Sequence, residues 1–454
     1  MKLIRAGLLS NTNPGIKTLL APPHLLVAAA IFHVAVTVTI FAIGRNSVLP
    51  GTFDPSGIAG TFASDALEFR AEAGALSELL RQGLFSEWVK APFAFHVKLY
   101  SISFALLGPW LDFTILAAEP LNLLCYLAIL VLVYQLGREA FDPRAGMVAA
   151  AIVGLWPSLL IHTTQVLKDP LFIVGMLAFV LVNMRLLRPA LSWRAALLLG
   201  AIGGWLAIPI WLTRDNLGEL MIATALLGAA MLIAQQLWER RFRTPSLAGM
   251  ALLLLLTIGT TRVVPSFKSP YPERTDWQTG QSLPKAVGDG SLRVETNPTT
   301  TLAAKVDTVR RRFLLMYPES TSNVDSHVRF STTADLIRYL PRAAAIGFFA
   351  PFPNMWFSGG KQIGSAGRLL SGIETLAIYA LETLALLGLW HGRRRFSVWL
   401  LAAIAAANLT ILGLAVINVG ALYRLRYAFL ILMIIIAGKG VPLLFDRFIK
   451  PAHV

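Results

Sequence analysis

The chain has 454 residues, 56% of them hydrophobic and 14% charged, with a mean hydropathy of +0.63. Soluble domains carry about 25% charged residues, so a water-soluble globular protein is excluded. The formal net charge of +15 would suggest nucleic acid in a soluble protein, but much of the Lys and Arg lies in short loops between apolar runs. Topology and anionic lipid account for it there, and no nucleic-acid partner is expected.

Apolar runs suited to crossing a bilayer lie near 24–44, 115–136, 145–163, 170–187, 194–212, 217–237, 246–262, 371–391, 397–417 and 425–445. A spanning helix takes about 20 residues. Helices are required because lipid cannot satisfy free backbone groups, and the runs lack the alternation of a membrane barrel. The expected fold is an all-α polytopic membrane protein, a bundle of about 10–12 transmembrane helices with juxtamembrane helices in its first outer loop. The first run starts too far in, and is too long, for a simple secretory signal, so it is expected to remain as the first span. Cys125 is the only cysteine and lies in an apolar run, which rules out an intramolecular disulfide and a cysteine metal site.

With the N-terminus inside, one side collects Lys2, Arg5 and Lys17, then Arg138 and Arg144, then Arg185, Arg188 and Arg194. Arg240, Arg241 and Arg243 follow, then Arg393, Arg394 and Arg395, and finally Arg447 and Lys450. This is the positive-inside pattern, and it makes both termini cytoplasmic. Segments 97–112 and 343–357 are apolar but short, broken by Pro or Gly and rich in aromatics. Counting one of them as a span would reverse every later basic loop. Counting both would misplace the charges between them. Both are therefore expected to be interfacial or re-entrant on the outer side.

Three regions follow: an N-terminal module over 1–262 with its first outer loop at 45–114, a large outer loop at 263–342, and a C-terminal unit over 343–454. The first loop has a helical pattern from Asp65 to Gln82, closed by Gly83. The second starts Pro-, Ser- and Thr-rich and then shows helical patterns near 302–316 and 333–340. With no P-loop and no dinucleotide fingerprint, any chemistry is built from helix ends and outer loops.

Charges that break the positive-inside pattern are the informative ones. They are Asp65, Glu68, Arg70, Glu119, Lys168, Asp169, Arg214, Asp215, Arg424 and Arg426, all at outer helix ends. Asp65 with Glu68 reads as a capping-box-like helix start, or as a general base for an acceptor hydroxyl. Asp169 reads as an N-cap before Pro170. Lys168 beside it is either a snorkelling residue or a phosphate ligand. Arg214 and Asp215 suit capping and local ion pairing. Arg424 and Arg426, at the start of the last helix, suit a phosphate, or lipid headgroups together with Tyr423 and Tyr427. Glu374 and Glu382 lie eight residues apart on one helical face inside a span; such carboxylates face a cavity or a partner. The histidines are widely spaced and read as structural. A divalent ion on carboxylates such as Asp65 and Asp169 stays open, although no ligand spacing calls for it.

Three stretches carry a family resemblance. The first is SDALEFRAEAGALSELL, followed by FALLGPWL; the second is QLGREAFDPRAGMVAAAIVGLWPSLLIHTTQVLKDPLF; the third is RYLPRAAAIGFFAPFPNMW with the terminal NVGALYRLRY. Together they resemble the GT-C superfamily of polyprenyl-phosphate-sugar-dependent glycosyltransferases, such as protein O-mannosyltransferases and lipid A aminoarabinose transferases. Family members often carry two adjacent acidic residues in the first loop, whereas here Ala66 follows Asp65.

The resemblance implies a bacterial inner-membrane enzyme with an inverting mechanism and an extracytoplasmic site. The donor would be a polyprenyl-phosphate sugar and the acceptor a glycan, lipid or protein, with membrane lipids as further partners. It implies Asp65 as the base, a basic pocket for the donor phosphate and a groove for the polyprenyl tail. The catalytic candidates are Asp65 and Asp169; the substrate-binding candidates are Glu68, Lys168, Arg214, Arg424 and Arg426. A polymerase or ligase using a lipid pyrophosphate, and a lipid or polysaccharide transporter without chemistry, are the alternatives.

Overall fold

The computed structural model describes residues 22–214, 217–264, 273–275, 282–284, 301–316, 320–357 and 364–449. The N-terminal half runs through α1 (Pro23–Arg45), α2 (Asp65–Arg81), α3 (Phe85–Lys90), α4 (Phe95–Leu111), α5 (Ile115–Ala140), α6 (Pro143–Gly154) and α7 (Pro157–Thr163). Then come α8 (Asp169–Leu186), α9 (Trp193–Thr213), α10 (Gly218–Glu239) and α11 (Thr244–Val263). The remainder is α12 (Leu302–Met316), α13 (Thr333–Phe349), α14 (Gly364–His391), α15 (Phe396–Ala415), α16 (Val419–Leu425) and α17 (Tyr427–Ile449). Among the described residues the only paired strands are Glu273–Thr275 and Ser282–Pro284, three residues each.

The protein is an all-α, multi-pass membrane protein. Nine helices among the described residues (α1, α5, α8, α9, α10, α11, α14, α15 and α17) are long and apolar enough to cross a bilayer. The pair α6 and α7, bent by 69° at its break, meets the same requirement when taken together, as a broken span or a re-entrant loop. The bend falls at Leu155–Trp156 before Pro157, whose ring nitrogen cannot continue the backbone ladder. The Gly154 carbonyl freed there accepts a hydrogen bond from Tyr126 at 2.7 Å.

One end of the bundle is tied together by basic residues. Lys439 pairs with Asp142 (2.7 Å), Arg188 with Glu139 (2.7 Å) and Arg144 with Asp446 (3.2 Å). Arg395 donates to the carbonyls of Ala140 and Phe141. Lys2, Arg5, Lys17 and Lys450 lie outside the described residues. The opposite end bears the long connections.

Neither interrupted apolar segment is among the candidate spans. The first lies within α4, which packs on α2 and α5. The second begins inside α13, which extends past the expected 340 to Phe349 with Pro341 in its interior. α13 starts with a capping box between Thr332 and Asp335, then runs antiparallel along α15. A Cβ on Gly347 would meet the Leu409 carbonyl oxygen at 2.0 Å, and one on Gly413 the Ala343 oxygen at 2.0 Å. Glycine is therefore what lets these two backbones touch. α13 ends with Gly347 and Ala350 buried and Phe349 exposed, and with the last-turn carbonyls that every helix leaves without partners. Arg426 Nη1 donates to those of Gly347 (3.3 Å) and Phe348 (3.2 Å), and the Tyr379 hydroxyl donates to that of Phe349.

Candidate functional site

At the loop-bearing end, a cavity of about 260 Å³ opens between the start of α2, α7, the 351–356 turn, the first turns of α14, and α16. Its walls come from residues as far apart in sequence as Thr61 and Arg424. Asn418 caps α16 by accepting from the Ala421 N–H at 3.0 Å. The segment around Ser322 is fastened alongside by Val324 N–H to the Ile417 carbonyl (2.9 Å) and Val419 N–H to the Ser322 carbonyl (3.0 Å). The large loop thereby contributes to the cavity wall.

Asp65 and Arg424 meet at this cavity, with Arg424 Nη2 2.7 Å from Asp65 Oδ2. Their side chains are 21% and 19% exposed, so the pair is reachable from solvent. Asp65 does not cap α2. Ser64 holds the cap position and no side-chain cap bond forms, which corrects the capping-box expectation. Glu68 sits one turn on, half-buried and outside the cavity lining.

Asp169 is likewise no cap: Lys168 holds that position and Asp169 is the first helical residue. It forms a buried ion pair with Arg214, a cation 45 residues away in the sequence. Asp215 lies outside the described residues. Lys168 Nζ stands 5.3 Å from the Phe69 ring centroid. Burial, then the charge of Arg214, lower the pKa of Lys168 against the opposing pull of Asp65 and Asp169. Neither Lys168, Asp169 nor Arg214 lines the cavity. Arg426 does not line it either: it is buried, 5.1 Å from the Tyr423 ring, and it serves the end of α13. Glu119, expected as an outer charge, is buried between α1 and α5, where it accepts from His33 (2.8 Å) and Thr37 (2.8 Å).

Comparison with family models, with curated proteins and with solved structures returns no match. The chemistry of the site has to be read from its own residues.

Three further groups line the cavity: Arg368, which the sequence does not single out, Glu374, expected to face a cavity or a partner, and His162, expected to be structural. Arg368, on the first turns of α14, donates to Thr321 (2.6 Å), Ser322 (3.1 Å) and the Met355 carbonyl (3.3 Å). It is a cation near a helix start at the loop-bearing end of the bundle, so the rule that picked out Arg424 applies to it as well. Glu374, two turns on, accepts from the Tyr423 hydroxyl (2.6 Å), the Ser158 N–H (3.2 Å), the Trp156 indole and the Ser158 hydroxyl. The third group, His162, has Nδ1 2.6 Å from the Ser158 carbonyl. Tyr427 joins these groups through Ser158 (2.8 Å). Glu374 and Glu382 share a helix face but not a role, since only Glu374 reaches the cavity.

Among the described residues, no three His, Cys, Asp or Glu side chains are grouped so as to hold a metal ion. Asp65 and Asp169 are each engaged by a different arginine. The cavity thus offers two guanidinium groups, two carboxylates and an aromatic wall. That set can bind an anion and orient neutral hydroxyl groups beside it.

Proposed function

We propose that this chain is a membrane glycosyltransferase. It moves a sugar from a polyprenyl-phosphate donor to a glycan, lipid or protein acceptor on the extracytoplasmic face of a bacterial inner membrane. The observation that carries the reading is the Asp65–Arg424 pair at the edge of the cavity. The basic residues at the other end of the bundle support placing the cavity outside.

In this reading the donor phosphate takes the place of Asp65 on Arg424, a charge-assisted contact for which a guanidinium is well shaped. Asp65 is then freed within the same cavity. The acceptor oxygen attacks the anomeric carbon as its proton passes to Asp65. The bond from that carbon to the phosphate oxygen breaks, its electron pair leaves with the lipid phosphate, and the configuration inverts. The leaving phosphate is a weak base, so it needs cations rather than an acid, and Arg424 and Arg368 provide them.

Arg368 also favours a second reading, transfer from a lipid pyrophosphate, whose additional phosphate would occupy a second cation. Both readings are tested by incubating the purified chain in lipid nanodiscs with monophosphate- and pyrophosphate-linked sugars and following release of the lipid product. Consumption of the monophosphate donor supports the first reading, and consumption of the pyrophosphate donor alone supports the second. No new glycosidic bond with either class defeats both.

A further inference from the structure

Resting on the glycosyl-transfer reading, we propose that Glu374 is the residue that reads hydroxyl groups of the bound sugar. Glu374 lines the cavity and is 8% exposed. Its four hydrogen bonds come from an indole N–H, a backbone N–H and two hydroxyls, all neutral donors. Three of them converge on Oε1, whereas among the described residues Oε2 accepts only from the Ser158 N–H at 3.2 Å. A carboxylate offers about four acceptor sites, so Oε2 retains acceptor capacity. The crowded oxygen fixes the orientation of the other, as a preorganised binding group requires.

The ligand chemistry follows from the charges around it. Glu374 asks for a hydrogen-bond donor. Arg368 and Arg424 line the same cavity and, with Asp65 and the donor phosphate, balance its charge, so the site does not call for a cation. Neutral hydroxyls supply the donor that Glu374 asks for. The side chains of Met355 and Trp356 supply an apolar wall for a ring face. A phosphate held by Arg424, with a hydroxyl-bearing ring between it and Glu374, matches this division of the cavity. A site built to hydrogen-bond a hydroxyl rejects the analogue that lacks it, because the buried polar group is left unpaired.

The test measures binding rather than turnover. The full chain in nanodiscs, wild type and Glu374→Gln, is titrated with decyl phosphate, a panel of decyl-phosphate pyranoses, and their monodeoxy analogues. At one or more ring positions, loss of the hydroxyl should weaken binding to the wild type by about tenfold or more. The same loss should change binding to Glu374→Gln by less than about threefold, because the three donors at Oε1 hold the amide oxygen there and leave an NH2 group, which accepts nothing, in place of Oε2. Decyl phosphate itself should bind the two proteins alike. Equal losses in both proteins at every position overturn the role of Glu374 and leave the transfer reading standing. A wild type that binds decyl phosphate as tightly as every glycosylated form overturns both.

Discussion

Arg424 and Asp65 are 359 residues apart in sequence and 2.7 Å apart in the fold. The contact joins the start of α2 to the last turn of α16, and it assigns opposite charges at one cavity to the two ends of the chain. Asp65→Asn should lower transfer by about two to four orders of magnitude, the range for loss of a positioned base. Stability should fall by less than about 1 kcal/mol, because the pair is partly exposed. Turnover and thermal unfolding of the purified variant check both parts; wild-type turnover would remove Asp65 from the chemistry.

The Asp169–Arg214 pair should behave in the opposite way. It is buried, so removing one partner strands a charge. Asp169→Ala should cost about 3–5 kcal/mol. The double replacement Asp169→Leu with Arg214→Met should recover most of that, since no uncompensated charge remains. Thermal unfolding in detergent of the two singles and the double measures the difference. A double variant as unstable as the single would mean that the pair contributes more than the cancellation of its own burial.

Close approach of α13 to α15 depends on Gly347, where an added Cβ has no room beside the Leu409 carbonyl. Gly347→Ala should destabilise the protein by about 1–3 kcal/mol, as overpacking does. Arg426→Met should also destabilise it, because the carbonyls of Gly347 and Phe348 lose their donor. In both variants, limited proteolysis near 350–357 should quicken before global unfolding does.

Asp325, between α12 and α13, carries a testable pH dependence. Burial opposes its charge, but hydrogen bonds from Arg342 (2.9 Å) and Tyr339 (2.7 Å) and the charge of Arg342 outweigh it and lower its pKa. A carboxyl depressed in the fold stabilises fully above its unfolded pKa and loses that contribution as pH falls through the folded value. Asp325→Asn should therefore lower the melting temperature at pH 7 and make little difference in strong acid. A melting difference that stays constant across this range would exclude the carboxylate as its source.

The spans were legible because length and apolarity decide them, and the basic loops fixed their order. The break at Trp156–Pro157 was written in the proline, yet the segment reads by composition as one span. The roles of Asp65 and Asp169 were harder. Local sequence offers each a cap, and only the fold brings Arg424 and Arg214 within reach. Arg424 and Arg426 look equivalent in sequence, but side chains two residues apart on helical backbone point different ways. One therefore reaches the cavity while the other serves the end of α13. Glu374 stood out as a carboxylate in an apolar run; the chain alone could not say that Trp156, Ser158 and Tyr423 would gather around it.

The cavity has walls from Thr61 to Arg424, and this spread has a consequence for biosynthesis. A ribosome that has threaded the first eight spans into the bilayer has made most of the protein and none of a working pocket. Arg424 arrives only just ahead of the final span. Nascent chains lack a closed cavity until insertion is almost finished, and a premature stop between the first and last spans leaves a membrane-embedded product with an unclosed pocket.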